Sequence, residues 1–155
     1  MAQSSSDRIE KHVVLKASRS RVWRALIDPK EFGEWFGVRL NGGFAPGERV
    51  RGVITHEGYE HLTWEIVVET VEPERRFSFR WHPYAVDSKL DYANEAPTLV
   101  AFELTDTGDG NTLLRVVESG FDGVPLSRRA KAFEMNEQGW AQQMQSIARH
   151  VDTTK

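Results

Sequence analysis

The sequence predicts an α+β domain in which a curved antiparallel sheet closes over one long C-terminal helix. Three observations predict it: a single strand-like run followed by two short helical segments, a long middle made only of strand patterns, and one amphipathic stretch at the end.

Ile9, Val13 and Leu15 share one face of a period-two run, with Glu10 and His12 on the other, so residues 9–16 are expected as the first strand. Ser18 or Ser20 supplies a side-chain oxygen to cap a helix whose Val22, Trp23, Leu26 and Ile27 form an apolar stripe. Asp28-Pro29 ends it. Proline lacks an amide proton but suits a first helical turn, so Pro29 opens a second helix carrying Phe32, Trp35 and Phe36, which Gly37 stops.

Gly42-Gly43 and Ala45-Pro46-Gly47 punctuate the chain before a strand expected over residues 48–55. After a turn at His56 to Gly58, residues 62–71 read as a long strand, closed by the turn Glu72-Pro73-Glu74. Phe77, Phe79 and Trp81 then alternate with Ser78, Arg80 and His82, which sends the aromatic face inward and Arg80 to solvent. A polar insertion, Pro83 to Pro97, follows. Val100, Phe102 and Leu104 alternate again, Asp106 to Asn111 make a turn, and Leu114, Val116 and Glu118 continue the pattern until Gly120. From about Ser127, Ala130, Phe133, Trp140, Met144, Ile147 and Val151 recur at helical spacing, one face for the sheet. Such a helix is roughly 10 Å across and does not fill a wide bent sheet, so a cavity between the two is expected.

At 155 residues the chain suits one domain, expected over residues 9–151 behind a loose tail of residues 1–8, with residues 152–155 also loose. No cysteine is present, which excludes disulfides and thiolate chemistry. No stretch approaches the roughly 20 apolar residues of a membrane span, and no export signal stands at the start, so a cytoplasmic protein is expected. A formal net charge of −3 leaves no footprint for nucleic acid or an anionic membrane. The expected partner is a small hydrophobic molecule, with a protein partner as the other possibility, and the chain itself a monomer or homodimer.

Specific segments resemble one family: Ala17 to Pro29 (ASRSRVWRALIDP), Trp35-Phe36-Gly37, Glu74 to Trp81 (ERRFSFRW), Ser119-Gly120-Phe121, and Gly139-Trp140 with Met144 and Ile147. The family is that of activator of heat-shock protein 90 ATPase homologue-like proteins, within the START-like (SRPBCC) superfamily of polyketide cyclases, dehydrases and lipid carriers. The resemblance implies the helix-grip fold, and a function among ligand carrying, cyclase-type catalysis and chaperone regulation.

Five Trp and eight Phe give material for a hydrophobic site. Trp23, Trp35 and Phe77 are expected to build core, as large apolar residues usually do. The ligand-binding set is Trp64, Phe79, Trp81, Phe102, Val116, Asn136, Trp140 and Met144, with Phe79 and Phe102 better explained as core and Trp64, Trp140 and Met144 equally explained as core. Asn136, one turn before Trp140, hydrogen-bonds either a ligand or a backbone carbonyl. Gly139 costs about 1 kcal/mol relative to Ala in mid-helix, repaid by close packing on a strand, the simpler account, or by room for a ligand. Glu118 shares a face with Leu114 and Val116, so it is either a buried acid or base with a raised pKa or a strand-end residue that reaches water, the blander alternative. Tyr84 and Tyr92 in the insertion are lid candidates.

The five histidines show no metal-ligand spacing and read as surface or strand-end residues; no metal and no cofactor are expected. Neither a phosphate-cradling glycine loop nor a GxSxG elbow occurs. The expected function is therefore a carrier or sensor of a lipid- or polyketide-like ligand. The alternatives are a cyclase- or dehydratase-like enzyme working through Glu118, against which the scarcity of polar groups weighs, and a chaperone-interaction module.

Overall fold

In the computed structural model, residues 7–55, 57–58, 63–82 and 95–153 are described. The elements run β1 (Arg8–Leu15), α1 (Arg19–Ile27), α2 (Pro29–Phe36), β2 (Val38–Leu40), β3 (Arg49–Ile54), β4 (Thr63–Glu72), β5 (Arg76–Trp81), β6 (Thr98–Asp106), β7 (Thr112–Ser119) and α3 (Leu126–Thr153), with a single 3-10 turn over Phe121–Gly123 before α3.

Local chemistry sets the helix boundaries as expected. Ser18 caps α1 by accepting the Arg21 amide at 3.3 Å. Asp28 ends α1 and caps α2, its Oδ1 accepting the amides of Lys30 and Glu31, and Pro29 occupies the first turn. Gly37 closes α2 at φ 92°, a left-handed conformation that costs glycine little.

The strands form one sheet in the order β1-β7-β6-β5-β4-β3-β2, every pair antiparallel. A register shift between Val68 and Thr70 against β5 bends β4, the usual effect of an extra residue in one strand. The concave face carries Val50, Trp64, Ile66, Phe77, Phe79, Val100, Phe102, Leu114 and Val116, buried against α3's Trp140, Met144, Ile147 and Val151. This is the helix-grip arrangement. The convex face instead carries ion pairs that run across four strands, Arg8–Glu10–Arg115–Glu103–Arg76, with separations of 2.8–3.1 Å.

Several expectations are corrected. β2 has no period-two signature in three residues and exists through contact: a Cβ on Gly33 would lie 2.2 Å from the Val38 carbonyl oxygen, and one on Gly52 2.6 Å from that of Arg39. The expected tail is already built into the fold at Asp7, which is 7 % exposed and whose Oδ1 accepts the Asp122 amide at 3.0 Å. At the other end α3 continues through the expected tail to Thr153. Close packing at Gly139 is not found, since a Cβ there would meet no atom of the described residues within 4 Å. His150 is not a surface histidine: its side chain is 8 % exposed and its Nε2 lies 2.9 Å from Glu31 Oε1. Tyr84, Tyr92, His56 and His61 lie outside the described residues.

Candidate functional site

The centre of the concave face is built around one carboxylate. β7 places Thr112, Leu114, Val116 and Glu118 on the buried side by strict alternation. Glu118 is paired across the sheet with Ile9 of β1 and Val100 of β6, and its exposure is 0 %. The solvent-reaching alternative is thus overturned, because β1 and β6 flank Glu118 and α3 covers it.

Four side chains donate to the carboxylate, two to each oxygen. Oε1 accepts Asn136 Nδ2 at 2.8 Å and Trp140 Nε1 at 2.8 Å, both from α3. Oε2 accepts Trp81 Nε1 at 2.8 Å from β5 and Thr98 Oγ1 at 2.5 Å from β6. Four donors match the roughly four lone-pair positions of a carboxylate. All four donors are neutral. Burial therefore dominates and pushes the Glu118 carboxyl above its ordinary value, with the Thr98, Trp81, Trp140 and Asn136 hydrogen bonds opposing it. Of the donors, the Thr98 hydroxyl by rotation and the Asn136 amide by a flip can accept a proton bound at the carboxyl, whereas the two indoles can only donate.

Aromatic rings surround this centre. Trp81 and Trp140 have centroids 5.8 Å apart, and Phe102 lies 5.7 Å from Trp140. Phe79 lies 5.4 Å from Trp81, and Trp64 stands 6.3 Å from Trp81 and 6.2 Å from Phe79. Phe36, at the end of α2, is within 5.6–6.1 Å of Trp64, Trp81 and Trp140. Gln143 Nε2 holds that end of α2 by donating to the Phe36 carbonyl at 2.9 Å. Phe36 and Trp81 are half-buried.

The expected ligand-binding residues are thus largely brought together. Trp64, Phe79, Trp81, Phe102 and Trp140 make one ring cluster, Asn136 joins it through Glu118, and Val116 pairs with Phe102 in the sheet. Met144 is 4 % exposed in the same core. Trp35 and Phe77 are core, as expected, while Trp23 only packs against its edge.

Two members escaped sequence reading. Thr98 is the one buried polar residue on the Val100, Phe102, Leu104 face of β6, a break in alternation that was available as a signal. Phe36 offered none, since its place depends on the crossing of α2 and α3. Among the described residues, these rings line the concave face where the cavity is expected. Two grooves lined by described residues, of about 690 and 700 Å³, open elsewhere, along Asn41–Arg51 and between α2 and β2.

Comparison with known proteins places this architecture. No curated protein of similar sequence is found. Among solved structures, protein MLL2253 from Mesorhizobium loti shares 24 % identity, with a TM-score of 0.74 over 96 % of this chain and 98 % of that one. NE0264 from Nitrosomonas europaea, at 16 % identity and TM-score 0.76, is covered in full and covers this chain in full. These likenesses show the fold. DynU16, a protein in the dynemicin biosynthetic locus, shares 28 % identity at TM-score 0.72, over 96 % of this chain but 48 % of its own length. Residues 16–152, nearly the whole described fold, match the family described as Activator of Hsp90 ATPase homolog 1-like protein, and the chain belongs to that family.

Proposed function

We propose that the protein binds a small hydrophobic or aromatic molecule among the rings between the sheet and α3, and acts as its carrier or sensor. The observation that carries this reading is the cluster of Trp64, Trp81, Trp140, Phe36, Phe79 and Phe102 around one buried, fully hydrogen-bonded carboxylate. Rings offer apolar contact to any flat ligand, and the polar groups fix the arrangement of the indoles. The fold family commonly binds hydrophobic ligands, which supports the same reading.

Native mass spectrometry of the purified protein, followed by thermal-shift screening against fatty acids, sterols, flavonoids and polyketides, tests it. A ligand specific to the folded state adds about 2.7 kcal/mol of stability at a hundredfold excess over Kd. A co-purified mass or a clear shift is expected. Neither mass nor shift across the panel overturns the reading and turns attention to protein partners of the kind the family name describes.

The raised pKa of Glu118 favours a second reading, a cyclase- or dehydratase-like enzyme in which Glu118 transfers a proton. With every acceptor position filled, such an enzyme must first break one of the four hydrogen bonds. Loss of turnover with retained ligand binding in Glu118→Gln would establish that role.

A further inference from the structure

We propose that the ring cluster selects a neutral, donor-poor apolar molecule bearing one hydrogen-bond acceptor, and that Trp64 Nε1 is the group that receives this acceptor. The proposal rests on the ligand-binding reading above and names the chemistry of the ligand.

Three indoles meet in the cluster, and their N–H groups differ. Those of Trp81 and Trp140 are spent on Glu118. Trp64 Nε1 is buried and has no partner among the described residues, in a residue only 6 % exposed. Among the described residues, the other buried side-chain polar atom without a partner is Ser78 Oγ, which strand alternation puts on the opposite face from Phe77 and Phe79. Among the described residues, the concave face therefore holds one open donor. Its ring neighbours are Phe36 at 5.6 Å, Phe32 at 5.8 Å, Phe79 at 6.2 Å and Trp81 at 6.3 Å, none of which has an oxygen to offer. A donor stranded among hydrocarbon favours any occupant that supplies an acceptor and rejects one that does not.

Charge narrows the ligand further. The Glu118 carboxylate lies one indole beyond Trp64, bonded to Trp81 at 2.8 Å, and no Lys or Arg is among its donors. An anionic ligand placed on Trp64 would be desolvated with no cationic group among these partners to compensate it, and be disfavoured. A ligand hydroxyl or amine fares no better, because the carboxylate's acceptor positions are already filled. A ketone, ester or ether suits the site; a fatty acid, alcohol or amine does not. Turning of the half-buried Phe36 ring admits the molecule.

The test uses fluorene, 9-fluorenone and fluorene-9-carboxylate, which share one tricyclic frame. Affinities are measured by calorimetry, and the indole N–H signals by nitrogen-proton correlation spectra, with the Trp64 signal assigned by its loss in Trp64→Phe. Fluorenone is expected to bind about tenfold tighter than fluorene, the worth of one buried hydrogen bond, and the carboxylate weaker than both. The Trp64 indole proton moves downfield with fluorenone and stays in place with fluorene. In Trp64→Phe the advantage of fluorenone falls to within about twofold. Equal binding of fluorene and fluorenone with no downfield movement overturns the Trp64 proposal and leaves the ligand-binding reading standing. Binding of none of the three overturns the Trp64 proposal, and the co-purified mass and the panel above then decide the ligand-binding reading. Should Trp64→Phe fail to fold, the wild-type affinities and spectra decide alone.

Discussion

Two glutamates of this chain sit at opposite ends of one physical scale. Glu118, in the sheet, is held by two indoles, an amide and a hydroxyl, with no cation. Glu31, in the first turn of α2, is 17 % exposed and is held by Arg21 at 2.8 Å, Arg24 at 2.7 Å and His150 at 2.9 Å. Both are desolvated, yet burial wins at Glu118 and raises its pKa, whereas at Glu31 burial is outweighed by the His150, Arg24 and Arg21 hydrogen bonds and the pKa falls. Comparable numbers of hydrogen bonds thus give opposite shifts, because neutral donors compensate a buried charge incompletely and cationic donors at a wetter site do more than compensate it.

The largest expected effect comes from emptying the inner site. Glu118→Ala strands two indole N–H groups, an amide and a hydroxyl and leaves a void, so it is expected to cost about 3 kcal/mol or more in urea unfolding. A loss under about 1 kcal/mol would mean that the donors find other partners and that the carboxylate does not organise the rings.

Glu118→Gln keeps the shape but turns one acceptor into a donor, and is expected to cost about 2 kcal/mol at neutral pH. Its pH signature sharpens the comparison. The folded value of Glu118 lies above the ordinary 4.5, so its contribution to stability is fully present below the unfolded value and is lost as pH rises through the folded one. Wild type minus Glu118→Gln stability should therefore fall as pH rises from about 4.

Glu31→Gln is expected to cost about 1 kcal/mol, after allowance for the screening that a partly solvated network suffers. Here the sign reverses. The folded value lies below the ordinary 4.5, so the contribution is present above the unfolded value and is lost as pH falls through the folded one. The cost should also shrink in molar salt, unlike that at Glu118. Difference curves of the same sign at both glutamates would break the comparison.

The smallest expected effect adjoins the inner site. Gly139→Ala, one residue before Trp140 and with open space at its Cβ among the described residues, should stabilise the free protein by about 0.5–1 kcal/mol. A loss of stability instead would show that this space is filled.

Much of the fold and part of the site were legible in sequence. Phe77, Phe79 and Trp81 announced an inner face by alternation, Asp28-Pro29 and Gly37 announced helix ends, and the spacing of Trp140, Met144, Ile147 and Val151 announced which side of α3 meets the sheet. These signals are local, set by backbone geometry and capping within a few residues. Trp81, Asn136 and Trp140 were identified as site residues for the same reason: each stands on the inward face of its own element.

What each of those residues does was not legible. Glu118 on an inward strand face reads equally as a buried acid or a frayed strand end until β1 and β6 flank it and α3 covers it. Its donors come from 20, 37, 18 and 22 residues away, and β2 exists only where Gly33 and Gly52 let backbone approach backbone. The sequence by itself determined the helices, the longer strands and their inward faces, since periodicity and caps act within a turn or a strand. The tertiary structure alone decided that two indoles, an amide and a hydroxyl converge on one carboxylate while a third indole is left with its donor open, because hydrogen bonding among distant side chains is fixed only when sheet curvature and helix docking bring them within about 3 Å.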